Sequence, residues 1–349
     1  MARPAAPTVT AFAVNCAIAA LRKRDIEARP LLRRAGLANL DFADPHVRLP
    51  AAGQGDFLEY AAEATTDSAF GLHLSEQANP RDAGLLFYVG AAAGDLGETL
   101  TLFLRYSRLV NESLRLKLER GPERYVVEFR LVGVSQQRVR QNTEFWIGII
   151  LKAAREITGR NIRPRRVACP HVRNTDVQEF ERSYGCPVEF GAPIGSLEFA
   201  NDIFDLPLIT EDRRLLEMLR PYCEAAARTR HTGEGSFRAS VENEVQRLLL
   251  HGQVNVEAVA KALAVSARTM SRRLSEEGTN FAEVVDELRH SLALQYLKEP
   301  RLKTAQIGWL LGYEGQTSFN HAFRRWTGRS PSAARGQIRL PPALPARAR

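Results

Sequence analysis

Apolar residues recur along this chain at more than one period, and the changes of period mark out its elements. Phe12, Val14, Ile18 and Leu21 repeat at helical spacing. Leu31 and Leu32 follow Pro30, a residue suited to a helix start, so residues 9–36 are predicted helical. The same spacing predicts a helix over Leu100–Asn111. Apolar and polar residues then alternate over Leu114–Glu119 and Arg124–Leu131, with Arg120-Gly121-Pro122-Glu123 between them, the pattern of a β-hairpin. A long helix over Arg138–Thr158 is ended by Gly159. A strand over Arg165–Cys169, a helix over Asp176–Tyr184 closed by Gly185, and short strands over Val188–Phe190 and Ser196–Phe199 follow. This mixture makes residues 1–208 an α+β domain.

Thr210-Glu211-Asp212 opens a helix that runs to about Arg228, its acidic groups suiting the positive end of the helix dipole. Leu215, Leu216, Leu219 and Tyr222 share one side of it, either as a dimer seam or as packing onto the preceding domain. Residues 229–235 are polar and glycine-containing and read as a linker, so residues 209–237 form a linker helix and hinge. Residues 238–340 are then an all-α domain, and residues 341–349 a flexible tail.

Within the all-α domain a single unit occurs twice. Val256–Leu263 is a short helix with Val259 and Leu263 inward; Ser266 suits an N-cap, and Ala267–Glu277 follows with Met270 and Leu274 inward. Val259, Ala260 and Leu263 correspond at an offset of 48 to Ile307, Gly308 and Leu311, and Met270 and Leu274 at an offset of 49 to Phe319 and Phe323. Gly312 supplies the permissive turn position of the second copy, and Trp326 extends its inner face. A helix over Phe281–Lys298, about 27 Å long at the usual rise, joins the two helix-turn-helix units. That length can hold two recognition helices about one DNA turn, ~34 Å, apart. The outward faces carry Arg268, Ser271, Arg272 and Ser275 in the first unit, and Gln316, Thr317, Asn320, His321 and Arg324 in the second. Arginine pairs bidentately with guanine edges in the major groove, and glutamine or asparagine with adenine, so double-stranded DNA is the expected partner.

Charge points the same way. From Arg238 onward there are 17 Lys and Arg against 10 Asp and Glu, which places +7 of the chain's net +8 in this third. The four cysteines, Cys16, Cys169, Cys186 and Cys223, lie far apart with no C-x-x-C pair, so neither a metal site nor a disulfide framework is expected and no cofactor is implied. No signal pattern opens the chain, and the apolar stretch Ala11–Leu21 is too short to span a bilayer; a cytoplasmic protein without a membrane partner is expected.

The second unit closely resembles the AraC/XylS family of bacterial transcription regulators, through Ile307-Gly308-Trp309-Leu310-Leu311-Gly312-Tyr313 and through Ser318–Ser332 with Arg335. The first unit is similar through Ser266, Arg268, Thr269, Arg272, Arg273, Leu274, Glu277 and Gly278. Two positions depart from the family: Ala264 stands where glycine is frequent, and Gly308 where alanine is usual. The resemblance implies that Arg268, Ser271, Arg272, Gln316, Thr317, Asn320 and His321 contact bases. Phe70-Gly71-Leu72, Gly84–Tyr88, Leu96–Leu100 and Arg105–Leu109 are similar to motifs of the subfamily with an N-terminal arabinose-binding-type ligand-binding domain. This implies a sensor for an unidentified small effector, a homodimer, and RNA polymerase as a partner.

Tyr88, Tyr106 and Trp146, with Phe87 and Phe145, can wall an effector pocket, and Arg105 and Arg108 can hold a carboxylate or phosphate, although aromatic residues at helical spacing also serve simply as core. His73 and His171 have no partner at metal-binding spacing. The expected function is a transcription regulator rather than an enzyme. Two alternatives remain at this point. A DNA-repair enzyme can carry the same DNA-binding module, but the chain lacks the clustered cysteines that a metal-activated site of that kind requires, and no Ser/His/Asp or Gly-rich phosphate motif appears. A ligand-independent DNA-binding adaptor would instead dock another protein through its N-terminal domain.

Overall fold

The computed structural model describes residues 6–44, 46–135, 138–173, 175–229, 237–249, 254–298, 302–313 and 315–338. The predicted linker and the C-terminal tail fall largely outside them. The chain divides into two compact units, residues 1–236 and 237–349.

In the first unit Thr8–Thr10 (β1) pairs antiparallel with Arg48–Pro50 (β2). Residues 8–10 are therefore extended rather than the start of a helix: Val9 is buried in this pairing, which no local pattern announces. Phe12–Arg22 (α1) and Ala28–Arg34 (α2) follow. Three helices have no counterpart in the periodicity of the sequence: Ala51–Thr65 (α3), Phe70–Gln77 (α4) and Leu85–Ala91 (α5). The helix expected over Leu100–Asn111 instead spans Leu96–Tyr106 (α6). Asp95 caps its start by accepting from the Glu98 amide at 2.7 Å, and Ser107–Leu109 continue it as one 3₁₀ turn.

The hairpin forms as expected from Leu114–Arg120 (β3) and Arg124–Leu131 (β4), and Arg140–Thr158 (α7) is closed by Gly159 in the left-handed region. Arg166–Cys169 (β5), Val177–Tyr184 (α8), Val188–Phe190 (β6) and Gly195–Ala200 (β7) complete a five-stranded sheet in the order β3-β4-β7-β5-β6. All neighbours are antiparallel except β5 and β6, which α8 joins in parallel. The unit ends with Arg213–Thr229 (α9).

Two hydrophobic clusters fill this unit, and α7 belongs to both. Its Phe145 and Ile149 lie with α1–α4, while Ile147, Leu151 and Ile157 lie with α5, α6, α9 and the sheet. Close approach of α4 to α7 depends on Gly71. Its amide donates to Gln141 Oε1 at 2.7 Å, and a Cβ there would stand 2.1 Å from the Gln141 carbonyl oxygen. The α9 stripe resolves as packing for Leu215, Leu216 and Leu219, which meet the core. Tyr222 is turned outward and 68% exposed.

The second unit contains Phe237–Leu249 (α10), Val256–Ala262 (α11), Ala267–Glu276 (α12), Phe281–Lys298 (α13), Thr304–Leu310 (α14), Gln316–Thr327 (α15) and Pro331–Ile338 (α16). Helix α13 packs against α10 and against α14, α15 and α16, burying Val284, Val285, Leu288, Leu292 and Tyr296. Helices α11 with α12, and α14 with α15, are the two helix-turn-helix pairs that the repeat predicts.

Candidate nucleic-acid interface and effector cavity

Local chemistry sets the start of each helix in the first pair. Asn255 caps α11 by accepting from the Ala258 amide, and the Ser266 hydroxyl caps α12 by accepting from the Thr269 amide at 3.1 Å. The turn between them passes through Ala264, whose φ is 54°. Its counterpart in the second pair, Gly312, has φ 74°. The departure at Ala264 therefore carries the strain of a left-handed alanine, while Gly312 carries none. At the other departure, a Cβ on Gly308 would come within 3.2 Å of the Phe319 Cβ, so a bare backbone lets α14 and α15 approach closely.

Inside α12, Met270 and Leu274 are fully buried. Arg268, Ser271 and Arg272 are exposed, as the helical register requires. Arg272 Nη1 donates to Glu276 Oε1 at 2.7 Å, an exposed pair one turn apart, so the guanidinium is held over the helix face while staying accessible. Just past the end of α12, Glu277 accepts from the Phe237 and Arg238 amides at 2.7 and 3.1 Å and so caps α10, and Arg273 lies over the Phe237 ring. Helix α12 is thereby fixed to α10 behind it.

In α15, Phe319 and Phe323 are fully buried and Gln316, Thr317 and His321 are exposed. Asn320 is half-buried, and its side-chain oxygen is buried with no hydrogen-bond partner among the described residues, so of this set it is the least free to leave the protein surface. Trp326 is half-buried and closes a ring cluster with His290, Tyr313 and Phe323. From α13, Arg289 Nε donates to the Leu311 carbonyl at 3.0 Å and its guanidinium lies over Tyr313, while Asp286 pairs with Arg325 at 2.5 Å. These contacts brace the second pair against the connecting helix. Trp309, an aromatic residue 72% exposed on α14, is not marked by the sequence pattern, because helical spacing alone does not distinguish it from core.

The first unit holds two adjoining, partly open apolar chambers of about 100 and 140 Å³ between α5, α6, α7 and the β4 and β7 strands. Of the five residues expected at an effector site, Trp146 lines both chambers and the other four line neither. Phe87 also lines the larger chamber, while Phe145 is buried in the other cluster. Tyr88 is exposed. Arg105 and Tyr106 turn to α9, where both engage Glu224 Oε1, at 2.6 and 2.5 Å. Arg108 lies outside the chamber linings, its Nε buried. Arg105 and Tyr106 thus have a protein partner in Glu224, 118 residues beyond Tyr106.

Beneath the sheet the fully buried Glu144 accepts from His171 Nε2 at 2.8 Å and from Arg173 Nε and Nη2 at 3.1 and 2.8 Å. Burial works against the charge on Glu144, yet Arg173 and His171 hold it below the usual carboxylate range. Burial keeps His171 below the usual 6.5 although it faces that carboxylate. His73 behaves oppositely. Burial opposes its charge, but Asp67 on Nδ1 and Glu179 on Nε2, each at 2.9 Å, hold it above 6.5. All four cysteines are free thiols, and burial pushes each of them up. Among the described residues no group of three metal-ligating side chains comes together, and no helix is long and apolar enough to cross a membrane.

Residues 26–208 match the family described as the arabinose-binding domain of AraC transcription regulators, N-terminal, and residues 243–337 match a helix-turn-helix domain family. The chain is 28% identical over 282 residues to the ornithine utilization regulator of Pseudomonas aeruginosa, covering 79% of this chain and 81% of that protein. It is 25% identical over 315 residues to the HTH-type transcriptional regulator VirS of Mycobacterium tuberculosis, covering 89% of this chain and 91% of that one. The crystal structure of the transcriptional regulator CdpR from Pseudomonas aeruginosa is similar at a TM-score of 0.43 and 23% identity, over 93% of this chain and 98% of that chain.

Proposed function

The chain belongs to the AraC family of transcription regulators, matched through its arabinose-binding-type domain and its helix-turn-helix domain, and from that premise we propose how it reads DNA. Helices α12 and α15 enter successive major grooves on one face of the duplex. Arg268, Ser271 and Arg272 meet base edges in the first groove; Gln316, Thr317, Asn320 and His321 meet them in the second. The observation that carries this reading is the bracing of the first helix pair by α10 and of the second by α13, which itself packs on α10, with the polar faces of α12 and α15 left largely exposed. A small effector received by the first unit alters the DNA affinity of the second; a coupling of ~1–3 kcal/mol is enough to change occupancy about tenfold.

Self-association belongs to the outward face of α9, where Met218 and Tyr222 are 60% and 68% exposed. Contact with RNA polymerase and a cytoplasmic location follow from the class of regulator rather than from any one surface of this chain.

Hydroxyl-radical footprinting of the full chain on its selected site tests the DNA reading. Two protected segments about one helical turn apart are expected. Arg272→Ala should cost ~1–3 kcal/mol on that site and little on random-sequence DNA. A single protected segment would end the two-groove reading, and equal losses on both DNAs would make Arg272 a phosphate contact.

A further inference from the structure

Resting on the reading that the first unit receives an effector, we infer that this effector is an uncharged, largely apolar molecule, and that a sugar does not bind in these chambers. The two chambers share Leu86, Leu100, Phe103, Val127, Trp146 and Phe199 as walls, so they are separated only by side chains common to both. Among the described residues no charged side chain lines either one. Among the same residues the larger holds a single hydroxyl, that of Thr99, and this already donates to the Gly90 carbonyl at 2.9 Å.

The smaller chamber is lined by Ser107, Asn111, Asn142 and Thr143 as well, but the side-chain oxygens of both asparagines and the Thr143 hydroxyl already have protein partners. Asn142 Oδ1 accepts from Gln54, Asn111 Oδ1 accepts from Ser113, and the Thr143 hydroxyl donates to the Val139 carbonyl. A pentose brings a hydroxyl on nearly every carbon, and each would lose its hydration here without a replacement. A carboxylate or an ammonium would find no counter-charge among the described lining residues.

What the chambers do provide is apolar area. An apolar cavity of about 150 Å³ stays dry and takes up a benzene-sized molecule. The larger chamber, at about 140 Å³, is of that size, and the second chamber adjoins it. Together they suit a flexible chain or a substituted ring of roughly eight carbons. The indole Nε1–H of Trp146 is buried with no acceptor among the described residues, on a side chain that walls both chambers.

The test uses the full chain with 1-octanol, octanoate and L-arabinose as probes, read by thermal melting and titration calorimetry. Octanol should raise the melting temperature of the first unit and bind, octanoate should bind at least about tenfold more weakly, and arabinose should do neither. Ile150→Phe and Leu100→Phe each place extra volume in a wall shared by both chambers, and each should weaken octanol by about tenfold or more. Having two such variants guards against one that does not fold. Stabilisation by arabinose, no binding of octanol, or octanol binding unaffected by the filling substitutions would each overturn the inference. Octanol that binds in the chambers but leaves the affinity for operator DNA unchanged would uphold the chemistry of the site and remove the effector role from it.

Discussion

The Tyr106 hydroxyl donates to Glu224 Oε1 at 2.5 Å, tying the end of α6 to α9, the last helix of the first unit. Burial, and then Glu224 as acceptor, push the phenol up to about 12, so it remains a donor at any physiological pH. Leu100 and Phe103 of the same helix wall both chambers, which places this bond where a change in their filling would be felt. Tyr106→Phe and Glu224→Gln should each lower the melting temperature of the first unit, and the double variant should lose no more than the worse single one. Strictly additive losses in that cycle would show that the two groups do not act as a pair.

Ala264 occupies the left-handed region at φ 54°, where an L side chain meets its own backbone and glycine does not. Ala264→Gly should stabilise the second unit by about 0.5–1 kcal/mol, the released strain less the extra entropy of glycine in the unfolded chain. Denaturant titration of the full chain reads this as a shifted midpoint of the second unit's transition. Destabilisation instead would place that turn in another conformation.

Gly71→Ala should do the reverse in the first unit. The new methyl would stand 2.1 Å from the Gln141 carbonyl oxygen, which is backbone of α7 and cannot swing away. Overpacking of this kind costs ~1–3 kcal/mol or more, and the shift needed to relieve it would strain the hydrogen bond that the Gly71 amide donates to Gln141 Oε1. A melting temperature within a degree or so of the parent would mean that α4 and α7 stand further apart than described.

Two histidines should together give the first unit a stability maximum. His171 is held below 6.5, so as the pH falls beneath 6.5 the unfolded chain takes up a proton that the native state refuses, and stability declines toward acid. Glu144 adds to this decline at lower pH, since its folded value lies below that of the unfolded chain. His73 is held above 6.5; its contribution is complete below 6.5 and is lost as the pH rises through its folded value. The two slopes meet near pH 6.5. His73→Gln should flatten the alkaline limb and leave the acid limb in place, as measured by urea unfolding at a series of pH values. An alkaline limb unchanged in His73→Gln would assign that slope to another group.

The two units differ in how far their sequence discloses them, and the reason is the range of the interactions. Asn255 and Ser266 cap helices through amides three residues away, and Met270, Leu274, Phe319 and Phe323 mark their inner faces within single helices, so both recognition helices are legible locally. Helix α3 is not. It opens Ala51-Ala52-Gly53-Gln54-Gly55, a run with almost no polar contrast, and its glycines are there because a Cβ at Gly55 would stand 2.5 Å from the Arg138 carbonyl oxygen. Close packing of backbones replaces hydrophobic periodicity with small residues, which a pattern search penalises. The chambers are hidden for a related reason: their walls come from separate helices and strands, and the conspicuous Arg105 and Tyr106 are claimed by Glu224.

A last consequence comes from α13. Helix α13 packs on α10, which holds the first pair, and its Asp286 and Arg289 clamp it to the second pair, so the offset between α12 and α15 is set by helices that do not lengthen. On the proposed two-groove reading, the promoter should therefore match a fixed gauge. One base pair added between the two contacted tracts would turn the second by roughly 34° and carry it ~3.4 Å along the axis, out of reach of side chains with no slack to follow. Individual bases within a tract can be exchanged at a graded loss, but the phasing between tracts cannot drift, and genuine target promoters should share that phasing more strictly than any single letter.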